Sequence, residues 1–446
     1  MKKWIGVLLF LVLMLAGCTQ QQPDLADFSE GDTSANQPTP EQLIPEPAES
    51  NPSANQPAAE PFPPESAESN PPEPNPAEDS VTNKDSSTNK DSLTDNEGPS
   101  VAEQHWKRVF EKAFADVGCP KPPPRDFPDS SYKGPMIDAH IHIQSLPDGE
   151  PGFPDEYYTG ENLGIKRSIA EWVCMMDYEG TSKAVAFFAV WNPITKESLD
   201  LVKLTMEKYP GRFIPFIMPP DDDGSPEGSP TVDAKTLQEM VEIYPGLFQG
   251  YGEIGLYSRP GGAPPLPPDS KRLTEIYPVI RKHNLVVYFH LGEGQKESFE
   301  KVLDENPDIT FIFHGDQLIQ CEACDGTLDD VAEILEDHPN VYYGVDELYG
   351  DVFLLREEVS KEQFIAHFRE YSPLLEKDLK TWKDFIEKHP DQVLWDTDRG
   401  VGSAWSLDPE VAVTLNDYSR AFIGRLDPGV QERFAYKNAE RLFAVD

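Results

Sequence analysis

Met-Ile-Asp-Ala-His-Ile-His-Ile, residues 136–143, is a short apolar run that carries two histidines. Its pattern predicts a β-strand, in which residues i and i+2 point to the same face. His140 and His142 therefore project together, as two imidazoles that bind one divalent ion must do. The segment predicts one wall of a metal site at the carboxyl end of a strand.

Four later apolar runs also end in an imidazole or a carboxylate. The side chains are Glu253, His290, His314 and Asp398. Asp396 precedes Asp398 by two residues and is the alternative if the strand register differs by one pleat. Imidazoles and carboxylates are the donors of catalytic zinc sites, so the pattern predicts a hydrolytic metal centre.

Strand-like and helix-like segments alternate along the second part of the chain. An N-terminal helix is predicted over 101–117, and one long helix over 359–389 follows the seventh strand. The eight predicted strands are 136–143, 183–190, 212–218, 248–256, 285–290, 309–314, 341–346 and 392–395. Eight strand–helix pairs fit a (β/α)₈ TIM barrel, with a doubly wound open sheet as the alternative. Closure favours the barrel, because it brings the first and last strands together around one ion.

In these strand-end residues the chain resembles the amidohydrolase superfamily, over residues ~130–446. That family places His-x-His on the first strand, a donor on the fourth, single histidines on the fifth and sixth, and an aspartate on the eighth. The resemblance implies a divalent metal, with zinc expected as one or two ions. It implies the metal ligands His140, His142, Glu253, His290, His314 and Asp398.

The same resemblance implies a mechanism in which the metal activates a water molecule. Asp398 would orient the nucleophile, take its proton and pass it to the leaving group. His314 would either bind a second ion or hydrogen-bond the developing oxyanion. Both residues are therefore candidate catalytic residues as well as ligands.

Two branches of the superfamily remain open. The run 252–256 carries Glu253 and no lysine, and it looks like the fourth strand of TatD-like deoxyribonucleases. The run 306–315 looks like the amidohydrolase-related branch, which includes decarboxylases and lactone hydrolases. The two branches imply different numbers of metal ions.

The leading hypothesis is a hydrolase of an amide, ester, lactone or phosphoester. The alternatives are decarboxylation of an aromatic acid, held by Trp191, Tyr257 and Arg399, and a non-catalytic surface binding protein. Residues 101–446 carry a net charge of −28 out of the chain's −41, which argues against nucleic acid as a partner. A small-molecule substrate is expected. Further candidates for shaping its pocket are Asn192, Asp221, Arg259, Glu293, Asp316, Gln317, Asp346 and Glu347.

The first 18 residues indicate export. Lys2 and Lys3 precede an apolar run that ends in Leu-Ala-Gly-Cys at residues 15–18. A core of about 13 apolar residues suits a signal peptide and is too short to span a bilayer. The segment resembles a bacterial-type lipoprotein signal, which implies removal of 1–17 and a lipid on Cys18. We expect a membrane-anchored, extracytoplasmic protein.

Residues 19–100 differ in composition from the rest of the chain. They contain 17 acidic residues, 2 lysines and 15 prolines, and two five-residue motifs recur at an offset of 19. Such a segment cannot bury enough apolar surface to fold, so we predict a disordered acidic tether over 18–100 and one hydrolase domain over 101–446.

Four cysteines remain beyond Cys18. Their even number in an oxidising compartment favours disulfides, and the spacing of Cys321 and Cys324 favours a local bridge between them. Five histidines outside the motifs fall among charged neighbours and are expected to be solvated. They are His105, His283, His338, His367 and His389.

Overall fold

The computed structural model describes most of the chain beyond residue 100. The described residues are 101–119, 121, 125, 127–143, 167–190, 194–220, 223–257, 263–314, 327–346, 348, 359–369, 371–400, 405 and 408–443. The predicted signal, the tether and the cysteines Cys321 and Cys324 lie outside these residues.

Eight parallel strands form one sheet whose neighbours follow chain order from first to last. They are β1 (Ile137–Ile143), β2 (Lys183–Ala189), β3 (Phe213–Met218), β4 (Gly250–Gly255), β5 (Val286–His290), β6 (Phe311–His314), β7 (Val341–Val345) and β8 (Val393–Trp395). All eight coincide with predicted strands. The architecture is the predicted (β/α)₈ barrel, and the open sheet is excluded by the contact between the two ends of the sheet.

That contact joins β1 to the residues just after β8. Ile141 and Arg399 form an isolated parallel bridge, and the backbone N–H of His142 donates to the carbonyl oxygen of Arg399 at 2.7 Å. The barrel is therefore nearly closed, with its seam beside the predicted metal site.

Helices alternate with the strands and cover the barrel. They are α1 (Val101–Ala113), α2 (Ile169–Glu179), α3 (Thr195–Lys208), α4 (Ala234–Ile243), α5 (Lys271–His283), α6 (Lys296–Glu305), α7 (Leu328–Asp337), α8 (Lys361–Arg369), α9 (Ser372–Lys388), α10 (Pro409–Ile423), α11 (Pro428–Glu432) and α12 (Asn438–Phe443). A π-helical turn, Arg433–Lys437, joins α11 to α12.

The single helix predicted over 359–389 is wrong, because the structure has two helices, α8 and α9. Pro373 lies in the first turn of α9. Proline lacks a backbone N–H and clashes with the preceding turn, so it begins a helix readily but interrupts one in its interior.

An apolar layer inside the barrel lies beneath the metal-site residues. The ring of Phe187 contacts that of His140, with centroids 4.6 Å apart. The ring centroid of Phe216 lies 5.4 Å from that of Phe187. Phe443 of α12 contacts Phe216 at 5.8 Å. The last helix thus continues this layer of aromatic side chains, which packs against the polar cluster.

A disulfide joins Cys119, beyond α1, to Cys174 in α2, with Cα atoms 5.4 Å apart. It leaves Cys321 and Cys324 as the remaining pair. Among the described residues, no helix is long and apolar enough to cross a membrane.

Two of the five histidines expected to be solvated are buried, which corrects that prediction. His338 and His389 are 8% and 5% exposed. Each directly follows a helix that packs on the barrel, and His389 lies against the ring of Phe385 at 5.2 Å.

Candidate metal centre

The six side chains predicted to form a metal site lie together at the carboxyl ends of the strands. They come from β1, β4, β5, β6 and the segment after β8, namely His140, His142, Glu253, His290, His314 and Asp398. The side chains of His140 and His314 are fully buried, whereas that of Asp398 is 16% exposed. Closure of the barrel brings the first and last strands together, and with them these residues, as predicted.

Two imidazoles and two carboxylates form the first group. His140 Nε2 lies 3.0 Å from His142 Nε2, and these nitrogens lie 3.1 and 2.8 Å from Asp398 Oδ1. They also lie 3.4 and 3.2 Å from Glu253 Oε2. Two facing imidazole nitrogens repel each other unless a proton or a cation lies between them. The group is therefore suited to holding a positive ion.

Glu253 extends the first group into a second one. Its Oε1 lies 2.8 Å from His290 Nδ1 and 3.1 Å from His314 Nε2. One oxygen of Glu253 thus faces each group. The second group, Glu253 with His290 and His314, also has donor atoms close enough to share an ion.

Burial and mutual contact set the charges of the cluster. Burial alone would raise the pKa of Glu253, but hydrogen bonds from four imidazoles hold that pKa well below its usual range. Burial would lower the pKa of His142, but hydrogen bonds to Asp398 and Glu253 raise it to about 9. Burial lowers the pKa of His140. Burial alone would raise the pKa of Asp398, but His140 and His142 hold it below its usual range. The site therefore contains two ionised carboxylates, Glu253 and Asp398, that attract positive charge.

The backbone around the two carboxylates is unusual. Gly252 has φ +133°, and a Cβ atom there would lie 2.4 Å from the carbonyl oxygen of Tyr288 on β5. Asp398 has φ +45°, in the left-handed region that non-glycine residues rarely adopt. Gly400 has φ +111°, and a Cβ atom there would lie 2.1 Å from the carbonyl oxygen of His142. Only glycine fits these two crowded positions next to the site.

The residues on either side of Asp398 are fixed by a buried polar network. Thr397 Oγ1 donates to Asp138 Oδ2 at 2.6 Å, and Arg399 Nε donates to Thr397 Oγ1 at 3.0 Å. Both terminal nitrogens of Arg399 bond the carboxylate of Glu179, at 2.7 and 2.9 Å. The unusual backbone of Asp398 is thus held from both sides.

A protein-family model described as amidohydrolase matches residues 137–445, from β1 to beyond the last helix. The chain belongs to the amidohydrolase family. The match covers the whole barrel and confirms the resemblance predicted from the strand-end residues. A search of curated protein sequences finds no significant match.

Three solved structures are similar to this amidohydrolase at low sequence identity. A zinc-bound amidohydrolase from Burkholderia multivorans is 12% identical, with a TM-score of 0.44, over 70% of this chain and 100% of the other. A dihydroxybenzoic acid decarboxylase from Polaromonas sp., with bound manganese and an inhibitor, is 14% identical, with a TM-score of 0.39, over 70% and 97%. A probable 2-pyrone-4,6-dicarboxylic acid hydrolase from Acinetobacter baumannii is 11% identical, with a TM-score of 0.43, over 69% and 99%.

In this amidohydrolase Asp396 and Asp398 occupy different surroundings. Asp396 is fully buried, and its Oδ2 accepts a hydrogen bond from the hydroxyl of Tyr288 at 3.0 Å. Burial, together with the negative charge of Asp346, raises the pKa of Asp396 well above its usual range. Asp398, not Asp396, contacts the imidazoles of the first group.

The predicted pocket residues divide into four sets. Arg399 is 2% exposed and bonded to Glu179, so it is a structural cation and does not face a substrate. Tyr257 lies over His290 with ring centroids 4.4 Å apart, and Asp346 lies within the cluster, bonded to His314. Glu293 follows β5 in an exposed turn. Outside the described residues lie Trp191, Asn192, Asp221, Arg259, Asp316, Gln317 and Glu347.

Sequence reasoning missed three residues that support the cluster. Glu179 ends α2 and bonds Arg399, and its position in the sequence resembles that of any exposed helix-end glutamate. Met218 ends β3, and its sulfur lies 3.4 Å from His142 Nδ1. Asp138 lies two residues before His140 in the same strand, and that position was a usable signal.

Proposed function

We propose that this protein is a metal-dependent hydrolase with zinc as its resident ion. The observation that carries the proposal is the convergence of donor atoms of His140, His142, Glu253 and Asp398 within 2.8–3.4 Å. Membership of the amidohydrolase family supports it. The expected substrate is a small molecule with an amide, ester, lactone or phosphoester bond.

The residues present fit a zinc ion. Zinc takes imidazole nitrogens and carboxylate oxygens at about 2.0–2.2 Å, so ligands on one tetrahedral ion are separated by about 3.4 Å. The nitrogen–nitrogen and nitrogen–oxygen separations of the first group are near this value. His140 and His142 would be neutral donors once the ion displaces the proton of His142, while Glu253 and Asp398 supply the negative charge that offsets the charge of the ion.

A divalent ion bound there would supply Lewis-acid activation of a water molecule and of the scissile group. Asp398 is the most solvent-exposed member of the first group. A carboxylate in that place can accept a proton from the attacking water and return it to the leaving group. His314 is fully buried beside Glu253 and can donate a hydrogen bond to an oxyanion that develops during the reaction.

We propose hydrolysis rather than decarboxylation of an aromatic acid, and the position of Arg399 supports this choice. The decarboxylase hypothesis named Trp191, Tyr257 and Arg399 as residues that could hold a flat anionic substrate. The Arg399 guanidinium bonds Glu179 and Asp138 below the site instead. The hydrolase hypothesis needs only the donor cluster and the proton shuttle.

We also propose that the enzyme acts outside the cytoplasm, attached to a membrane by a lipid on Cys18. The support is the lipoprotein-like signal and the acidic, proline-rich tether behind it. Growth with radiolabelled palmitate should label the wild-type protein, whereas Cys18→Ser should carry no label. Equal labelling of both proteins would contradict the anchor.

The test of the proposed function is elemental analysis of protein purified without chelators, followed by assay. One zinc ion per chain would match the first group, and two would match both groups. The substrate panel should contain lactones, aryl esters, amides, phosphodiesters and aromatic acids. Removal of the metal should abolish hydrolysis, and added zinc should restore it. Turnover that persists after complete metal removal, or release of CO₂ and the decarboxylated arene from an aromatic acid as the only reaction found, would contradict the proposal.

A further inference from the structure

Asp346 is a buried carboxylate at the end of β7, a strand that contributes no residue to the motif on which the metal site was predicted. It is 4% exposed and follows Val345 directly. Its Oδ2 lies 2.8 Å from Nδ1 of His314, which is itself fully buried. This distance is that of a charge-assisted hydrogen bond.

The ring of His314 is confined on its faces and edges. Its centroid lies 4.5 Å from that of His140, 4.3 Å from that of His290 and 5.6 Å from that of Tyr288. Its two nitrogens point to different carboxylates, since Nε2 lies 3.1 Å from Glu253 Oε1. The carboxylate on Nδ1 therefore determines which nitrogen is free to face the metal cluster.

We propose that Asp346 is the positioning residue of His314. By accepting the Nδ1–H, it fixes both the tautomer and the rotation of the ring, so that Nε2 faces Glu253 and the site. Histidines at metal sites are commonly oriented in this way by a carboxylate on the other ring nitrogen. The inference rests on the proposed function, because it assigns Asp346 a task within that metal centre.

The chain provides a matched control close to Asp346. Asp396 is also a fully buried aspartate at the end of a strand, but its hydrogen-bond partner is Tyr288. Both carboxylates have one oxygen without a hydrogen-bond partner among the described side chains. Asp346 bonds His314 and Asp396 does not, and a general effect of changing a buried side chain at the end of one of these strands would appear in both variants.

The experiment compares full-length wild type, Asp346→Asn, Asp346→Leu and Asp396→Asn, labelled with ¹⁵N-histidine. The first readout is the low-field proton on His314 Nδ1, assigned by its absence in His314→Gln. This proton signal should disappear in Asp346→Leu. It should persist at higher field in Asp346→Asn, because the amide oxygen can still accept the hydrogen bond. It should stay unchanged in Asp396→Asn. If Asp346→Leu does not fold, the Nδ1 proton can still be compared between wild type and Asp346→Asn.

The second readout is the affinity for Zn²⁺ alone, measured by competition with a chelator. Loss of a residue that orients a metal-site histidine typically weakens binding by about 10–100-fold, which is the decrease expected for Asp346→Leu. Asp346→Asn should fall between Asp346→Leu and wild type. A folded leucine variant with wild-type affinity or an unchanged Nδ1 proton would overturn the proposal. If the substitution at Asp396 produced the same losses, the effect would be general and the proposal would also fail.

The two proposals fail in different ways. The Nδ1 proton is to be measured in the metal-free protein as well, so that the pairing of Asp346 with His314 is tested independently of zinc. Wild-type protein that binds no zinc would contradict the proposed function. If the wild-type protein binds zinc but the His314 Nδ1 proton is the same in wild type and in the Asp346 variants, only the positioning role is contradicted.

Discussion

The carboxylate of Glu179 and the guanidinium of Arg399 form a buried, two-point ion pair between α2 and the segment after β8. Each side chain is 1–2% exposed. The same guanidinium also reaches Asp138, in front of the His-x-His motif, at 3.4 Å. One ion pair outside the metal cluster thus connects both ends of the barrel seam and holds the backbone on which Asp398 is presented.

The first prediction follows from the burial of this pair. Glu179→Ala leaves the Arg399 guanidinium buried beside a single carboxylate, so the free energy of unfolding should fall by about 3–5 kcal/mol. Glu179→Gln can still accept one hydrogen bond and should lose less. Urea denaturation followed by tryptophan fluorescence measures both changes.

Asp177 provides the control for that prediction. It lies two residues earlier on the same helix and pairs with Arg212 at 2.7 Å, with 57% of its side chain exposed. Exposed ion pairs contribute about 0–1 kcal/mol, so Asp177→Ala should barely change stability. Equal losses for Asp177→Ala and Glu179→Ala would contradict a structural role for the buried pair.

The second prediction concerns the first donor group. His140→Ala removes one of the two imidazoles of the first group. The space left by the imidazole borders the aromatic rings of Phe187 and Tyr288. The variant should bind far less zinc than wild type and lose activity. Metal content after dialysis measures the loss, with the buried His389→Ala as the control. A His140→Ala protein with full metal content would contradict the metal-centre interpretation.

Much of the barrel was predictable because each strand is short, apolar and followed by an amphipathic helix. Periodicity locates such elements without any knowledge of their partners. The break between α8 and α9 was missed because the apolar spacing continues across it, and only Pro373 marks the boundary. The disulfide from Cys119 to Cys174 was left open, since cysteine spacing says nothing about which distant segments the fold brings together.

The candidate site was predictable to the extent that its residues end strands. Parallel strands in a closed barrel place their carboxyl ends on one rim, so residue type and position suffice there. The supporting residues depend on side-chain packing between distant elements. Glu179 on α2 and Met218 on β3 have no sequence signal of this kind, and the burial of Arg399 reverses the role expected from its place beside the motif.

The third prediction separates the two aspartates after β8. Asp398→Asn keeps an oxygen donor near His142 but loses the basic carboxylate, so most of the metal should remain while activity falls by about 10²–10⁴. Asp396→Asn should have much less effect, because Asp396 bonds Tyr288 and does not contact the first group. Steady-state kinetics and metal analysis of both variants are required. The opposite result, with activity lost only in Asp396→Asn, would show that the assignment after β8 is wrong.

The fourth prediction concerns a buried acid far from the site. Asp378 of α9 is 4% exposed and accepts a hydrogen bond from Tyr418 of α10. Burial raises the pKa of Asp378 to about 7, against the opposing effects of Tyr418 and Lys377. Because the folded-state pKa lies above the unfolded value, the unfolded chain releases its proton first. The contribution of Asp378 to stability is therefore fully present below about pH 4 and is lost as the pH rises towards 7.

Asp378→Asn should remove this dependence, because an amide accepts the same hydrogen bond and does not ionise. One pKa unit corresponds to about 1.4 kcal/mol, so at pH 8 the variant should exceed wild type in free energy of unfolding by about 2–4 kcal/mol. The difference should shrink steadily towards pH 4. Glu376→Gln on the same helix is the control, because Glu376 is 65% exposed and pairs with Arg425 at the surface. A difference between Asp378→Asn and wild type that stays constant from pH 4 to 8 would show that Asp378 is not a buried, protonated acid in the folded protein.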